Sequence, residues 1–292
     1  MEWIIYSLIM FGFSILQYMV LRKLQKMKIP SIINTLMLFL PAVPMFIVLG
    51  MISGKSLLLS LPITLFIIVT TYLFSYLGNI FSIRGIKNAP NSGYALVIQK
   101  SYAIYTTFAA VILFGSTINL KSVIAILIVI VFSLFIIIER REKDQKKSSI
   151  NHWIIPSLLA FFLFGNLSLT SKWLLTQGID PLVRTMYVFL IVSIMYGVNF
   201  AFDIKNGKVE LPKRNWTIIT LLIIMGLSNG LFNLFMQLGY DKAPNIGYVN
   251  IFNAASIMPI TLLSALIFKD NLNRQKIIGI IGVTAGIILL II

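Results

Sequence analysis

The sequence has no cysteine, a single histidine and only 9 Asp+Glu among its 292 residues. The first absence removes disulfides, thiolate metal sites and cysteine nucleophiles. The shortage of histidine and carboxylates leaves little material for a metal centre or an acid–base pair, and no Ser-His-Asp set, P-loop or dinucleotide fingerprint occurs. Charged residues make up 11% of the chain, less than half of the roughly 25% usual in a soluble domain. A soluble enzyme is excluded, and neither a cofactor nor a metal is expected.

What is abundant is apolar length: 58% of the residues are hydrophobic and the mean hydropathy is +0.94. Apolar stretches run over 3–21, 29–49, 57–83, 92–114, 121–138, 151–171, 183–202, 216–238, 246–268 and 275–292. A membrane-spanning helix needs ~20 such residues. The pattern predicts an all-α polytopic membrane protein with ten transmembrane helices. The first stretch lacks a basic leader and a small-residue cleavage site, and reads as a retained helix and not as a signal peptide. In so apolar a chain the net charge of +15 points to Lys and Arg beside a membrane, not to a nucleic-acid surface.

The single long polar connection in the middle, the basic segment 139–150, divides the stretches five and five. The halves repeat. Gly85-Ile-Lys-Asn-Ala-Pro-Asn-Ser-Gly-Tyr94 returns 154 residues later as Gly239-Tyr-Asp-Lys-Ala-Pro-Asn-Ile-Gly-Tyr248. At the same spacing Asn79 meets Asn233, Gln99 meets Asn253, Phe114 meets Phe268 and Asn119 meets Asn273. Such register marks an internal duplication, with repeats over 1–138 and 151–292. Because five is odd, the second copy starts on the opposite face of the membrane, so the repeats are inverted, an architecture common among secondary transporters. Most Lys and Arg lie in the odd-numbered loops, whereas Lys55, Lys121, Lys172, Arg184 and Lys242 lie in the even loops and their flanks. The positive-inside rule then places the odd loops in the cytoplasm and both termini outside.

Two five-helix halves, each with Ala-Pro-x-x-Gly-Tyr at the start of its fourth helix and Phe-x-x-x-x-Asn before its fifth, resemble the drug/metabolite transporter superfamily, EamA type. The resemblance covers nearly the whole chain and is carried best by 79–138 and 233–292. It implies a transporter of small metabolites or drugs, often an exporter, with a central cavity lined by both halves. The chain departs from that pattern in two ways. Typical members keep both termini in the cytoplasm, and the turn 115–120 lacks the usual Gly-Glu, while 269–274 retains only Asp270.

The nine carboxylates, Glu2, Glu139, Glu142, Asp144, Asp180, Asp203, Glu210, Asp241 and Asp270, all fall in loops or at helix ends. Exporters that trade a proton for a cationic drug need an embedded carboxylate, so that mechanism is disfavoured. The embedded ionisable group is Lys100, eight residues after Ser92 and therefore ~12 Å into the membrane. A central Lys costs ~2.5–3.5 kcal/mol to insert and faces the protein interior or an aqueous path. Either it snorkels or packs against a carbonyl, or it is a site cation that binds a substrate carboxylate or phosphate or titrates during transport. Around it the candidate substrate-binding residues are Gln99, Tyr102 and Tyr105 on the same helix, with Asn79, Asn233, Gln237, Asn250 and Asn253 on the third, eighth and ninth. Each amide alone is as suited to stapling helices as to lining a cavity; as a set they favour the cavity.

Other polar and small residues have structural readings. Asn91 and Asn245 follow Pro in short turns and are expected helix N-caps. Tyr94 and Tyr248 suit either interfacial anchoring or a gating contact. Ser168, Thr170 and Ser171, with Asn166 on the sixth helix, are expected to bond back to their own backbone. Gly12 and Gly165 are expected to permit close helix approach, and Gly279, Gly282 and Gly286 to form an intramolecular seam.

The reading that emerges is a multi-pass cell-membrane transporter, monomeric or homodimeric, that moves a small-molecule substrate such as an amino acid or related solute by alternating access. An amphipathic drug exporter or a flippase for a lipid-linked substrate is the alternative within transport. A polytopic membrane enzyme is the remote alternative, and the lack of clustered acidic, His or Ser residues near an interface speaks against it.

Overall fold

The computed structural model describes residues 1–89, 92–137, 150–212, 215–269 and 272–292. Of the expected linker only Ile150 is described; the Asn91 cap, Glu139, Glu142, Asp144, Asp270 and the side chain of Tyr94 lie outside. The described residues form ten helical segments. Helix 1 is Glu2–Lys26; helix 2 is Ser31–Phe39 followed by Ala42–Ile52; helix 3 is Leu61–Thr70, a π-helical turn Thr71–Tyr76 and Leu77–Asn88. Helix 4 is Ser92–Lys100 followed by Tyr102–Phe114, and helix 5 is Leu120–Ile137. The second half contains helix 6 (Ile150–Thr176), helix 7 (Pro181–Lys205) and helix 8 (Trp216–Lys242). Helix 9 (Ile246–Ala255 and Ile257–Phe268) and helix 10 (Arg274–Ile291) complete it.

Eight of these segments, all but helices 4 and 5, are long and apolar enough to cross a membrane, and Leu120–Ile136 is a shorter apolar helix. Large apolar side chains such as Ile5, Ile112, Val131, Ile194 and Ile281 point outward. Water penalises such a surface and a bilayer does not, while the helices satisfy their own backbone groups as hydrocarbon requires. The chain is an all-α multi-pass membrane protein.

The halves pack through each other. Helix 1 lies against helix 8 and helix 3 against helix 6, while helices 2 and 7, 4 and 9, and 5 and 10 form the remaining principal pairs. Numbering the second half from helix 6 makes the first two pairs images of one another and the last three pairs of equivalent helices. Helices 1 and 8 run in opposite directions: Ser7 approaches Gly239, and Leu24 shares a buried cluster with Leu222.

Glycine decides the tightest of these contacts. A Cβ on Gly279 would lie 2.6 Å from Ile136 Cγ1, one on Gly286 would lie 2.7 Å from Val129 Cγ2, and one on Gly282 would enter the Phe132 ring. The glycine face of helix 10 is thus a seam against helix 5. Gly165 likewise admits the Tyr105 ring. Gly12 does not match its expectation: no heavy atom lies within 4 Å of where its Cβ would be, so it permits no close approach.

Several helices expected to be continuous are interrupted. Pro41 lacks the N–H that the Met37 carbonyl would accept and helix 2 breaks there. In helix 9 the break at Ser256 precedes Pro259, which cannot donate to the Ala255 carbonyl. Helix 4 breaks at Ser101, close to the repeat-matched position of Ser256.

Candidate functional site

Helices 4 and 9 meet at their breaks. Lys100 is the last residue of the first piece of helix 4, where the negative end of the helix dipole favours a cation. It is half-buried, and its Nζ donates to both the backbone O and the side-chain Oδ1 of Asn253, each at 3.4 Å. Those lengths exceed the 2.7–3.2 Å range typical of N–H···O bonds. The Asn253 carbonyl lies in the last turn before the break, where Ser256 Oγ also donates to it at 2.7 Å. The ion pairs found among the described residues join Lys55 to Asp180 and Lys242 to Asp241. Neither involves Lys100.

A chain of hydrogen bonds leads away from Lys100 through Asn253, Tyr102, Asn250 and Tyr240. Asn253 Nδ2 donates to the Tyr102 hydroxyl at 3.1 Å, and that hydroxyl donates to Asn250 Oδ1 at 3.5 Å. The Tyr240 hydroxyl donates a short bond to the same Asn250 oxygen and lies 3.0 Å from Ser168 Oγ. Asn250 Nδ2 donates to Thr106 Oγ1 at 2.9 Å. Helices 4, 6, 8 and 9 are therefore joined through one buried amide that uses both its donor and its acceptor ends.

Of the expected site residues, Lys100, Tyr102, Asn250 and Asn253 come together. Gln99 points to helix 3, where its Oε1 accepts from Ser82 Oγ at 2.7 Å and its Nε2 donates to Ser82 O at 3.2 Å. Asn79 donates to Ser75 O at 2.8 Å and Asn233 to Asn229 O at 2.9 Å, each one turn back in its own helix. Gln237 is buried with Oε1 unpartnered. The Tyr105 hydroxyl donates to Asn166 Oδ1 at 3.3 Å, away from Lys100 and its partners.

Asn245, Thr170 and Ser171 do as expected, and Asn119, Asn273 and Tyr248 also take structural roles. Asn245 caps helix 9 by accepting the Gly247 N–H at 2.9 Å, and its Nδ2 reaches Thr107 O. Asn119 and Asn273, matched by the repeat, cap helices 5 and 10 by accepting from Ser122 and Lys276 N–H groups. Thr170 and Ser171 bond back to Asn166 O and Leu167 O. Tyr248 is buried, 5.9 Å from the Trp3 ring, with its hydroxyl donating to Thr117 O at 3.4 Å.

Sequence reasoning missed Tyr240, Thr106 and two cations assigned to loop flanks. Lys172 Nζ donates to Tyr240 O at 2.7 Å. That carbonyl lacks its helical partner because the residue four later is Pro244, and this spacing was a readable signal. Arg184 is 5% exposed in the first turn of helix 7, so Lys100 is not the sole ionisable group drawn inside.

Comparison with known proteins follows the same lines. Residues 151–292 match the EamA-like transporter family. No curated protein matches the chain. A solved crystal structure of a protein superposes with a TM-score of 0.79 at 12% identity, covering 98% of this chain and 98% of that one. At that identity the likeness shows the fold, and it extends through both halves. The second half, residues 151–292, is therefore similar to the EamA-like transporter family, and the whole chain has the fold of the solved structure.

Proposed function

We propose that the protein is a secondary transporter, working in export, for a small organic solute with an anionic group, such as an amino acid or related carboxylate-bearing metabolite. One observation carries this reading: Lys100 is half-buried at a helix break and, among the described residues, held only by two 3.4 Å contacts to Asn253. An ammonium has three donors. A substrate carboxylate would offer Lys100 the shorter, charge-assisted bonds that Asn253 does not.

Broken helices at a repeat interface are how several transporter folds expose backbone dipoles to a solute near the membrane midplane. Helices 4 and 9 have that form, and each comes from a different half. In our reading the halves, 1–138 and 151–292, rock about these breaks and open the site alternately to each side. Tyr102, Asn250 and Asn253 contact the solute with Lys100, while Gln99, Asn79, Asn233, Gln237 and Tyr105 serve packing around it. The protein sits in the cell membrane with its basic odd loops in the cytoplasm.

The test is solute counterflow into proteoliposomes, using radiolabelled amino and carboxylic acids chosen by their ability to raise the melting temperature of the purified protein. Counterflow that requires Lys100 supports the proposal. Undiminished flux in Lys100→Ala would refute it. A reporter fused to the C-terminus tests orientation, and a cytoplasmic signal would reverse it.

A further inference from the structure

Arg184 presents an electrostatic problem that the described residues do not solve. The residue is 5% exposed, and its Nε is buried without a hydrogen-bond partner. Asp180, one turn earlier, is already engaged: Oδ1 accepts the N–H groups of Leu182 and Val183, and Oδ2 pairs with Lys55 at 2.5 Å. Asp241, at the end of helix 8, pairs with Lys242 at 3.0 Å. A guanidinium does not discharge by losing a proton, and a buried charge left unpaired is strongly unfavourable. Its planar fork fits an oxyanion through two parallel bonds.

The surroundings add to the argument. Helix 7, which carries Arg184, packs against helix 8, which carries Tyr240, whose hydroxyl ends the hydrogen-bonded chain that begins at Lys100. Lys172 brings a second cation to the same tyrosine, 2.7 Å from its carbonyl. In helices 1 and 2 the register with helices 6 and 7 is 150 residues, Trp3-Ile-Ile matching Trp153-Ile-Ile, so Lys172 is matched by Arg22 whereas Arg184 is matched by the neutral Asn34. The repeat therefore does not demand a cation at position 184.

We infer that Arg184 is an oxyanion-binding residue at the helix 6–7–8 end of this polar chain, filled by a carboxylate or phosphate group of the transported solute. The inference rests on the reading that the chain from Lys100 lines the solute path, and it gives the acid proposed there a second anion contact. A neutral or purely cationic drug would leave the guanidinium bare.

The test uses the purified full chain in a neutral detergent. Its melting temperature is measured in sodium phosphate and, separately, in sodium succinate, against sodium chloride of equal ionic strength. Both oxyanions are expected to raise it by ~3 °C or more in wild type and in Lys100→Gln. Arg184→Gln is expected to lose that gain, and Arg184→Lys, which keeps the charge but not the fork, to keep part of it. Without ligand, Arg184→Gln is expected to melt at or above wild type, because an uncompensated charge has been removed.

A marked fall in the ligand-free melting temperature of Arg184→Gln would identify a structural cation and overturn the inference. An equal gain in wild type and Arg184→Gln would also overturn it, as would stabilisation only by phosphatidylglycerol added to the micelles, which would make the anion a lipid headgroup. Loss of the gain in Lys100→Gln with retention in Arg184→Gln would assign the anion to Lys100 alone, leaving the proposed function standing. Counterflow indifferent to Lys100→Ala would remove that function without altering the phosphate result at Arg184.

Discussion

The two halves share a repeat but not a backbone. In the first half, helix 2 breaks before Ala42, helix 3 carries a π turn at Thr71–Tyr76 and helix 4 breaks at Ser101. In the second half, their equivalents, helices 7 and 8, run unbroken over Pro181–Lys205 and Trp216–Lys242, and only helix 9 is interrupted. Side chains from the unbroken helices tend the gaps opposite them: Asn229 of helix 8 donates at 2.9 Å to Leu38 O, beside the break in helix 2. The difference teaches that the duplicated pattern sets which helices pair, whereas the exposed carbonyls and the cations that use them belong to one half at a time. Lys100 is matched by Ala254, a buried small residue.

The largest expected effect breaks that asymmetry. Lys100→Ala should lower counterflow about 30-fold or more, the scale of deleting one partner of a hydrogen-bonded charged contact, with no loss of folded protein. Adding Ala254→Lys to it should not restore flux, because the matched position is packed. Recovery of transport in the double variant would show that the halves are functionally interchangeable and that the asymmetry is incidental.

Next in size is the joint between the halves. Asn250→Leu removes one donor and one acceptor that serve Thr106, Tyr102 and Tyr240 together. Stranding buried hydroxyls costs about 1–3 kcal/mol each, so the variant should melt several degrees below wild type. Thermal unfolding in detergent checks this, and an unchanged midpoint would mean that water replaces the amide.

A smaller effect distinguishes two glycines on the first helices of the halves. Gly165→Ala should destabilise by about 1–3 kcal/mol, since the new methyl meets Tyr105 Cδ1 at 2.5 Å. Gly12→Ala should be neutral or stabilise by up to about 1 kcal/mol, because the methyl meets nothing within 4 Å and alanine favours the helix. The smallest effect is at the exposed Lys55–Asp180 pair between the halves. Lys55→Ala should change stability by less than about 1 kcal/mol and should lose even that effect in high salt.

Much of this was readable in advance where the cause is local. Asn119, Asn245 and Asn273 announce helix starts because a short amide side chain reaches N–H groups two or three residues ahead. Thr170 and Ser171 bond to their own helix for the same reason of reach. Amphipathic neighbours misled where direction mattered: Gln99 and Lys100 are adjacent, yet about 100° apart around the helix, and they reach helices 3 and 9 respectively. Tyr240 looked like a motif residue at a helix end and is instead a fully buried junction.

The sequence by itself determined a polytopic helical membrane protein built on a duplicated five-helix plan, because hydrophobic length and repeat register are properties of the chain read in one dimension. Only the tertiary structure decided that Lys100 faces a broken helix of the other half, that Arg184 is enclosed with its Nε unpartnered among the described residues, and that Gly12 is idle while Gly165 is occupied. Those outcomes depend on which side of a helix meets which neighbour and on what partners are already taken. Both follow from the way the two halves interlock, and linear spacing carries neither.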